Sequence, residues 1–421
     1  LLETSAQADL IWAITALATL GVIVRPFGWP EAVWATAGAV ALVACRLLPP
    51  AEAWRGVARG TDVYLFLTGM MLLAELARAE RLFDWLAAHA ARSARGSPGR
   101  LFTLTYIVGV VVTAFLSNDA TAVVLTPAVA AAARAAAAET ALPYLLICAM
   151  VANAGSFVLP ISNPANLVIY GAHMPPLGAW LWRFAVPSLA AILATYGALR
   201  VTQRRALRGA LATDIAAPTL PPGGWCAALG LGATALLLML ASARGWPLGL
   251  PTCLAGLVTS VAVLAVSRRN PLGLVRGVAW GVLPLVAGLF VLVQGLDHTG
   301  LLTRLGDMLR AGTRASAVGA AWAAGVALAA LCNVVNNLPA GLISGVAVQS
   351  AHAPDRVTGA VLIGIDLGPN LSVTGSLATI LWLAALKREG LSVSAWSFLR
   401  VGALVMPPAL LLALAVLLAQ P

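Results

Sequence analysis

Long runs of Ala, Leu, Val and Gly recur at about 9–25, 32–49, 62–79, 101–116, 178–199, 225–243, 248–267, 280–297, 315–335 and 397–419. Each approaches the roughly 20 apolar residues that a helix needs to cross a bilayer. The pattern therefore predicts about ten transmembrane helices. Two stretches depart from it. Residues 117–170 and 336–387 are apolar but interrupted by Asn, Asp, Pro, Gly and Ser. In lipid such interruptions are tolerated only where they line a cavity or are buried in protein. They are read here as two broken, re-entrant hairpins of an all-α polytopic membrane protein.

Composition supports that class. Of the 421 residues, 60% are hydrophobic and 10% charged, where a soluble domain carries about 25% charged residues. Aromatic-rich alternating segments are absent, which argues against a membrane β-barrel. The net charge of +10 comes from arginines in the loops between apolar runs. They set topology and meet anionic lipid, and no groove-reading or base-stacking motif accompanies them, so nucleic acid is not a partner. Cys45, Cys148, Cys226, Cys253 and Cys332 have neither metal-ligand nor redox spacing, and nothing calls for a metal or cofactor. The opening residues, LLETSAQADL, lack a basic region before the first apolar run, and no signal peptide is read there.

The one long polar linker, 200–224, divides the chain into halves 1–199 and 225–421. The same order recurs on either side. Asn118–Asp119 corresponds to Asn336–Asn337, and VANAGSFVLPISNPANLVIY (151–170) to GIDLGPNLSVTGSLATILWL (364–383). Laid together, Asn153 meets Asp366, Gly155 meets Gly368 and Asn166 meets Thr379. This is an internal repeat. Loops 78–100, 200–208 and 268–276 hold twelve arginines, against three each in 46–59 and 304–314. With the richer group inside, equivalent loops fall on opposite sides, the repeat is inverted, the linker is cytoplasmic and both termini lie outside.

An ionised Asp near mid-membrane costs at least ~2.5–3.5 kcal/mol. Asp119 and Asp366 are the acids well inside the broken regions, and both are candidate proton carriers. Asn118 or Asp119 also suits the N-cap of a helix opening at Ala120, a role compatible with the first. Around Asp366, Gly368 and Pro369 free backbone groups, while Asn370, Ser372, Thr374, Gly375 and Ser376 supply donors and acceptors. The matched region breaks at Gly155 and Pro160 and offers Ser156, Ser162, Asn163 and Asn166; CNVVNNLPAG offers Asn333, Asn336 and Asn337. Alone, each such side chain is ordinary interhelical glue; at matched positions they form candidate substrate contacts. The histidines fall in loops or span ends, and no catalytic or phosphate-binding motif occurs.

At SNDATAVVLTP (117–127), LPISNPANLVI (159–169), NNLPAGLI (336–343) and DLGPNLSVTGSLATILWL (366–383), the chain resembles the ArsB-type arsenite efflux permeases of the ion transporter superfamily. The order and spacing of these stretches extend the resemblance over nearly the whole chain. It implies a secondary transporter, not an enzyme, that exports arsenite and antimonite across the bacterial inner membrane by proton antiport. In some such systems a soluble ATPase subunit is the partner. Asn118, Asp119, Asn337, Asp366, Gly368, Pro369, Gly375 and Ser376 match the family's polar pattern. The SNPAN segment is shared more widely, so a sodium/proton antiporter or dicarboxylate carrier stays open.

The implied substrate, As(OH)3, is neutral and needs hydrogen-bonding groups. The expected cycle has Asp119 and Asp366 alternate between protonated and ionised states while the broken-hairpin unit rocks past the remaining helices. An intramembrane aspartyl protease is the remaining alternative; GIDLGPN puts Asp before Gly, and an enzyme leaves the repeat unexplained.

Overall fold

A computed structural model describes residues 2–216 and 218–420. These residues form helices joined by turns, with no strand among them. Eight helices are long and apolar enough to span a membrane, or nine if Pro50–Arg59 and Thr61–Ala79, bent by 49°, form one span. The count of about ten is thus approximate. Two of the eight, Pro98–Phe115 and Ala317–Val335, run into a polar break and the chain turns back.

Their bases show that these are hairpins. Leu211 N–H donates to Gly96 O, ahead of the first arm, at 2.9 Å, and Ala212 N–H donates to Ala136 O, past the return arm, also at 2.9 Å. The excursion therefore starts and finishes at one place. Helix Leu301–Ala315 lies across both ends of the second hairpin: Gly312 sits beside Ala320, and the Arg310 guanidinium donates to Ser350 O at 2.7 Å. Each polar stretch of the sequence is thus divided between a hairpin return arm and a broken helix.

The halves match element by element. Helices Leu142–Ala154 and Asp355–Leu367 each have 13 residues. Passages 155–163 and 368–376 follow, then half-helices Pro164–Tyr170 and Leu377–Arg388. Spans Leu177–Thr202 and Ala395–Ala419 close the halves. The two hairpins enter from opposite faces. The first is reached through helix Leu82–Ser93, which follows Glu80, paired with Arg269 at 3.0 Å on the arginine-rich face. The second starts on the face where Asp62 accepts from Gly249 N–H at 2.8 Å and Glu52 meets His298.

Small residues bring each hairpin close to its broken helix. Gly325 and Ala329 on the second hairpin face Gly364 and Gly368, and a side chain at Gly364 would strike the Gly325 carbonyl. In the first half, Gly109 packs on Val151 and Gly155 on Thr113. Lipid offers no hydrophobic drive for helices to associate, so such backbone proximity supplies much of the attraction. We expect Gly364→Ala to destabilise the protein by about 1–3 kcal/mol through overpacking, while Gly232→Ala, with open space around it, stays within about 0.5 kcal/mol of wild type. Unfolding in detergent checks both.

Candidate functional site

Four helix breaks meet in the middle of the fold, and each is closed by a polar side chain. At the first tip Ser117 is extended and its hydroxyl accepts from Ala120 N–H at 3.2 Å. Asn118 Oδ1 accepts from Asp119 N–H at 2.9 Å. The N-cap is therefore Ser117, and Asp119 is spared that task. The return arm opens with a wide π turn over Thr121–Leu125, a departure frequent at functional sites. The Thr113 and Thr121 hydroxyls tie the two arms at 2.8 Å.

In the first broken helix Gly155 ends the regular turn, and Pro160 opens a short 3₁₀ turn in the loop. Asn163 Oδ1 then accepts from Ala165 N–H at 3.0 Å and starts the half-helix. Asn166 Nδ2 donates to the carbonyls of Ser156, Leu159 and Pro160 at 2.9–3.3 Å. Ser156 donates to Ala152 O at 2.7 Å. Ser162 donates to Ala114 O at 3.0 Å, tying the loop to the hairpin.

The second half uses different groups for the same purpose. Asn336 holds φ 73° with ψ 153°, outside the left-handed region asparagine ordinarily visits, so the tip is strained there. Its Oδ1 accepts from Leu338 N–H at 3.3 Å and its Nδ2 donates to Thr374 O at 3.2 Å. Asn337 N–H donates to Gly375 O at 2.9 Å, and Gly375 packs on Pro369. Asn333 Nδ2 donates to Gly368 O at 3.1 Å, and Asn333 Oδ1 accepts from the Ser372 hydroxyl at 2.7 Å. Thr374 donates to Asn333 O at 2.8 Å. Ser376 accepts from Thr379 N–H at 3.1 Å and caps the last half-helix.

Among the breaks, two bonds between side chains cross from one half to the other. Asn163 Nδ2 donates to Asp366 Oδ1 at 2.8 Å. Asn153 Nδ2 donates to Asn370 Oδ1 at 2.9 Å, and Asn370 Nδ2 donates onward to Met150 O at 3.0 Å. Each half-helix also packs on the other half. Gln349 Nε2 donates to Ile169 O at 3.3 Å, and Trp382 Nε1 donates to Leu145 O at 2.9 Å.

Some polar capacity is left over. Asp366 is fully buried, and its Oδ2 has no hydrogen-bond partner; Asn153 Oδ1 and Asn166 Oδ1 are likewise buried and unpartnered. Asp119 is half-buried, and its carboxylate has no hydrogen bond or ion pair among the described residues. None of the four breaks contains a Lys or Arg. Cys332 is buried with its Sγ 3.8 Å from Ile365 O. Among the described residues no cluster of His, Cys, Asp and Glu could hold a metal. A cavity of about 680 Å³ lies between half-helix Pro164–Tyr170, the second return arm and the outer helices, with Arg59, Asp62 and Asp297 in its walls. It opens beside the site on the face opposite the arginines.

Of the sequence candidates, the structure brings Asn163, Asp366 and Asn370 to the two crossings, while Asn118, Asn336, Asn337, Thr374 and Ser376 bond within their own half and the Asp119 carboxylate bonds to none of them. Ser156 and Asn166 act within their own loop. Asn153 and Asn333 carry more of the network than their positions near helix ends suggest. The signal for Asn153 was its alignment with Asp366, since both precede the matched glycines by two residues.

A family profile described as citrate transporter, CitMHS, matches residues 11–369. The arsenical pump membrane protein of Escherichia coli strain K12 is 27% identical over 439 residues, covering 97% of this chain and 98% of that protein. The arsenical pump membrane protein of Yersinia enterocolitica is 27% identical over 382 residues, covering 86% of this chain and 87% of that protein. Among solved structures, the fold is similar to that of the Alcanivorax borkumensis YdaH transporter, with a TM-score of 0.59 and 16% identity over 87% of this chain and 86% of that one.

Asn370→Leu removes the bonds Asn370 makes with Asn153 Nδ2 and Met150 O, leaving Asn153 Nδ2 only its long 3.5 Å contact with Ala149 O, and we expect it to destabilise the protein by about 1–3 kcal/mol. Combined with Asn153→Leu the loss should be smaller than the sum, because both partners are then removed. A double-mutant cycle by unfolding in detergent measures this coupling.

Proposed function

We propose, on the premise that this chain belongs to the CitMHS citrate transporter family, that it exports arsenite, and with it antimonite, from the bacterial cytoplasm in exchange for protons. The observation that carries this reading is a junction of amides and hydroxyls without a Lys or Arg in any break. A neutral As(OH)3 suits such a lining, whereas citrate carries several negative charges that call for cations. The relatives named arsenical pump membrane protein support the same choice along nearly their whole length.

Asn118, Asn163, Asn336, Asn337, Asn370, Thr374 and Ser376 offer the donors and acceptors for the substrate, and Ser156 and Asn166 shape the loop behind them. The lone cysteine near the crossings, Cys332, cannot form the multiple thiolate bonds that would hold trivalent arsenic too firmly for release. Asp119 and Asp366 carry the protons. Proton binding removes a charge and turns one carboxylate oxygen from acceptor to donor, which rearranges the bonds open to substrate. Protonation from outside releases As(OH)3, and deprotonation inside restores the site. The arginine-rich face is then the cytoplasmic one.

A second reading, transport of a carboxylate, draws on the helix N-termini that open at the breaks, since these attract anions. Everted membrane vesicles separate the two. The expected result is arsenite accumulation driven by a pH gradient, abolished by a protonophore and reduced to background by Asp366→Asn, with a strong loss for Asp119→Asn. Full gradient-driven transport in both variants would remove the aspartates from the mechanism. Accumulation of citrate with no response to arsenite would favour the second reading.

A further inference from the structure

At the base of the first hairpin, on the arginine-rich face, lies a cavity of about 800 Å³ that the transport reading does not use. Arg92, Arg95, Arg100 and Arg200 converge on it, with His89 beside them. None of the four arginines has a carboxylate partner among the described residues. Among the described residues no acid lines the cavity, and Glu139 and Asp214, exposed on the same face, pair with none of the four arginines. Glu75 pairs with Arg78, Glu80 with Arg269 and Glu389 with Arg134. Four positive charges are thus gathered at one cavity without a protein counterion.

Arg200 is the best placed of them. Its guanidinium lies 5.8 Å over the Phe102 ring and against Gly99, where a side-chain methyl would strike it. Its Nη1 is buried with no hydrogen-bond acceptor. A guanidinium stays charged at any physiological pH and presents a planar fork suited to phosphate oxygens. An acceptor from outside the chain would complete it.

The cavity also has an apolar floor. Helices Pro98–Phe115 and Leu177–Thr202 run side by side below it, joined where Tyr106 donates to Ile192 O at 2.7 Å. Leu104 lines the cavity, and Ile107, Val111 and Phe115 continue from it as an exposed stripe at helical spacing. Leu193, Leu189 and Val186 do the same on the neighbouring helix. A free anion would use only the cationic mouth, whereas a lipid would use mouth and floor together.

We infer that this cavity binds the phosphate of an anionic phospholipid headgroup, with the acyl chains lying along the two exposed stripes. The lipid fixes the base of the first hairpin to the cytoplasmic leaflet and supplies the missing counterion.

Native mass spectrometry of the delipidated protein tests this, with phosphatidylglycerol, phosphatidylcholine of the same chains and inorganic phosphate as separate probes. We expect phosphatidylglycerol to be held in preference to phosphatidylcholine by wild type and by R304Q/R314Q, a charge-matched control on the opposite face. R100Q/R200Q should bind it about thirty-fold less tightly, the loss expected for two cationic side chains at the surface, and R100K/R200K should recover part of it. R95Q/R100Q, which alters two exposed side chains, keeps the test decisive should loss of Arg200 disturb the hairpin. Equal phosphatidylglycerol binding by all variants would overturn the site. Saturation by inorganic phosphate at these arginines with no preference for phosphatidylglycerol would overturn the lipid as occupant.

Discussion

A helix interrupted inside a bilayer leaves carbonyls and N–H groups that no solvent can satisfy. This chain contains four such interruptions, and its central architecture follows from pairing them. Asn166 gathers three loop carbonyls, Asn333 ties a carbonyl and a hydroxyl, and Asn337 donates its backbone N–H to Gly375 O. Asparagine recurs because it carries donors and acceptors without a charge. The breaks are stable because each supplies what another lacks, so none of them could exist alone in lipid.

That economy explains why the two aspartates stand out. Every other group at the junction is neutral, and most are engaged in holding backbone. Asp366 has one oxygen bonded to the opposite half and one without a partner, while Asp119 sits at a tip already capped by Ser117. Structural needs at these positions are met, or could be met, by neutral residues. What remains is the capacity to change charge, which is what the proposed transport cycle asks of them.

The spans, the breaks and the matched halves were legible in the sequence because they rest on composition: apolar runs have a length, and Asn, Gly and Pro interrupt them. The distinction between a crossing and a hairpin arm was not. Residues 101–116 and 315–335 are long and apolar enough to span, and what reveals the return is the shared anchorage of Gly96 and Ala136 at residues 211–212 and of Ala320 and Ser350 on helix Leu301–Ala315. Partner choice was equally hidden. Asn163 and Asn166 are three residues apart, yet one bonds across the repeat and the other within its loop. That difference depends on which side of a short helix faces the other half. The cap at Ser117 was masked by two adjacent residues of equal capping ability.

The glycine seam between helices Ala317–Val335 and Asp355–Leu367 has a mechanical consequence. Backbones in such close approach leave no room for one helix to tilt into the other, so the hairpin arm and its neighbour keep a fixed spacing. Because Asp366 sits on that neighbour and is bonded to Asn163, any change in that spacing would be felt where the two halves touch.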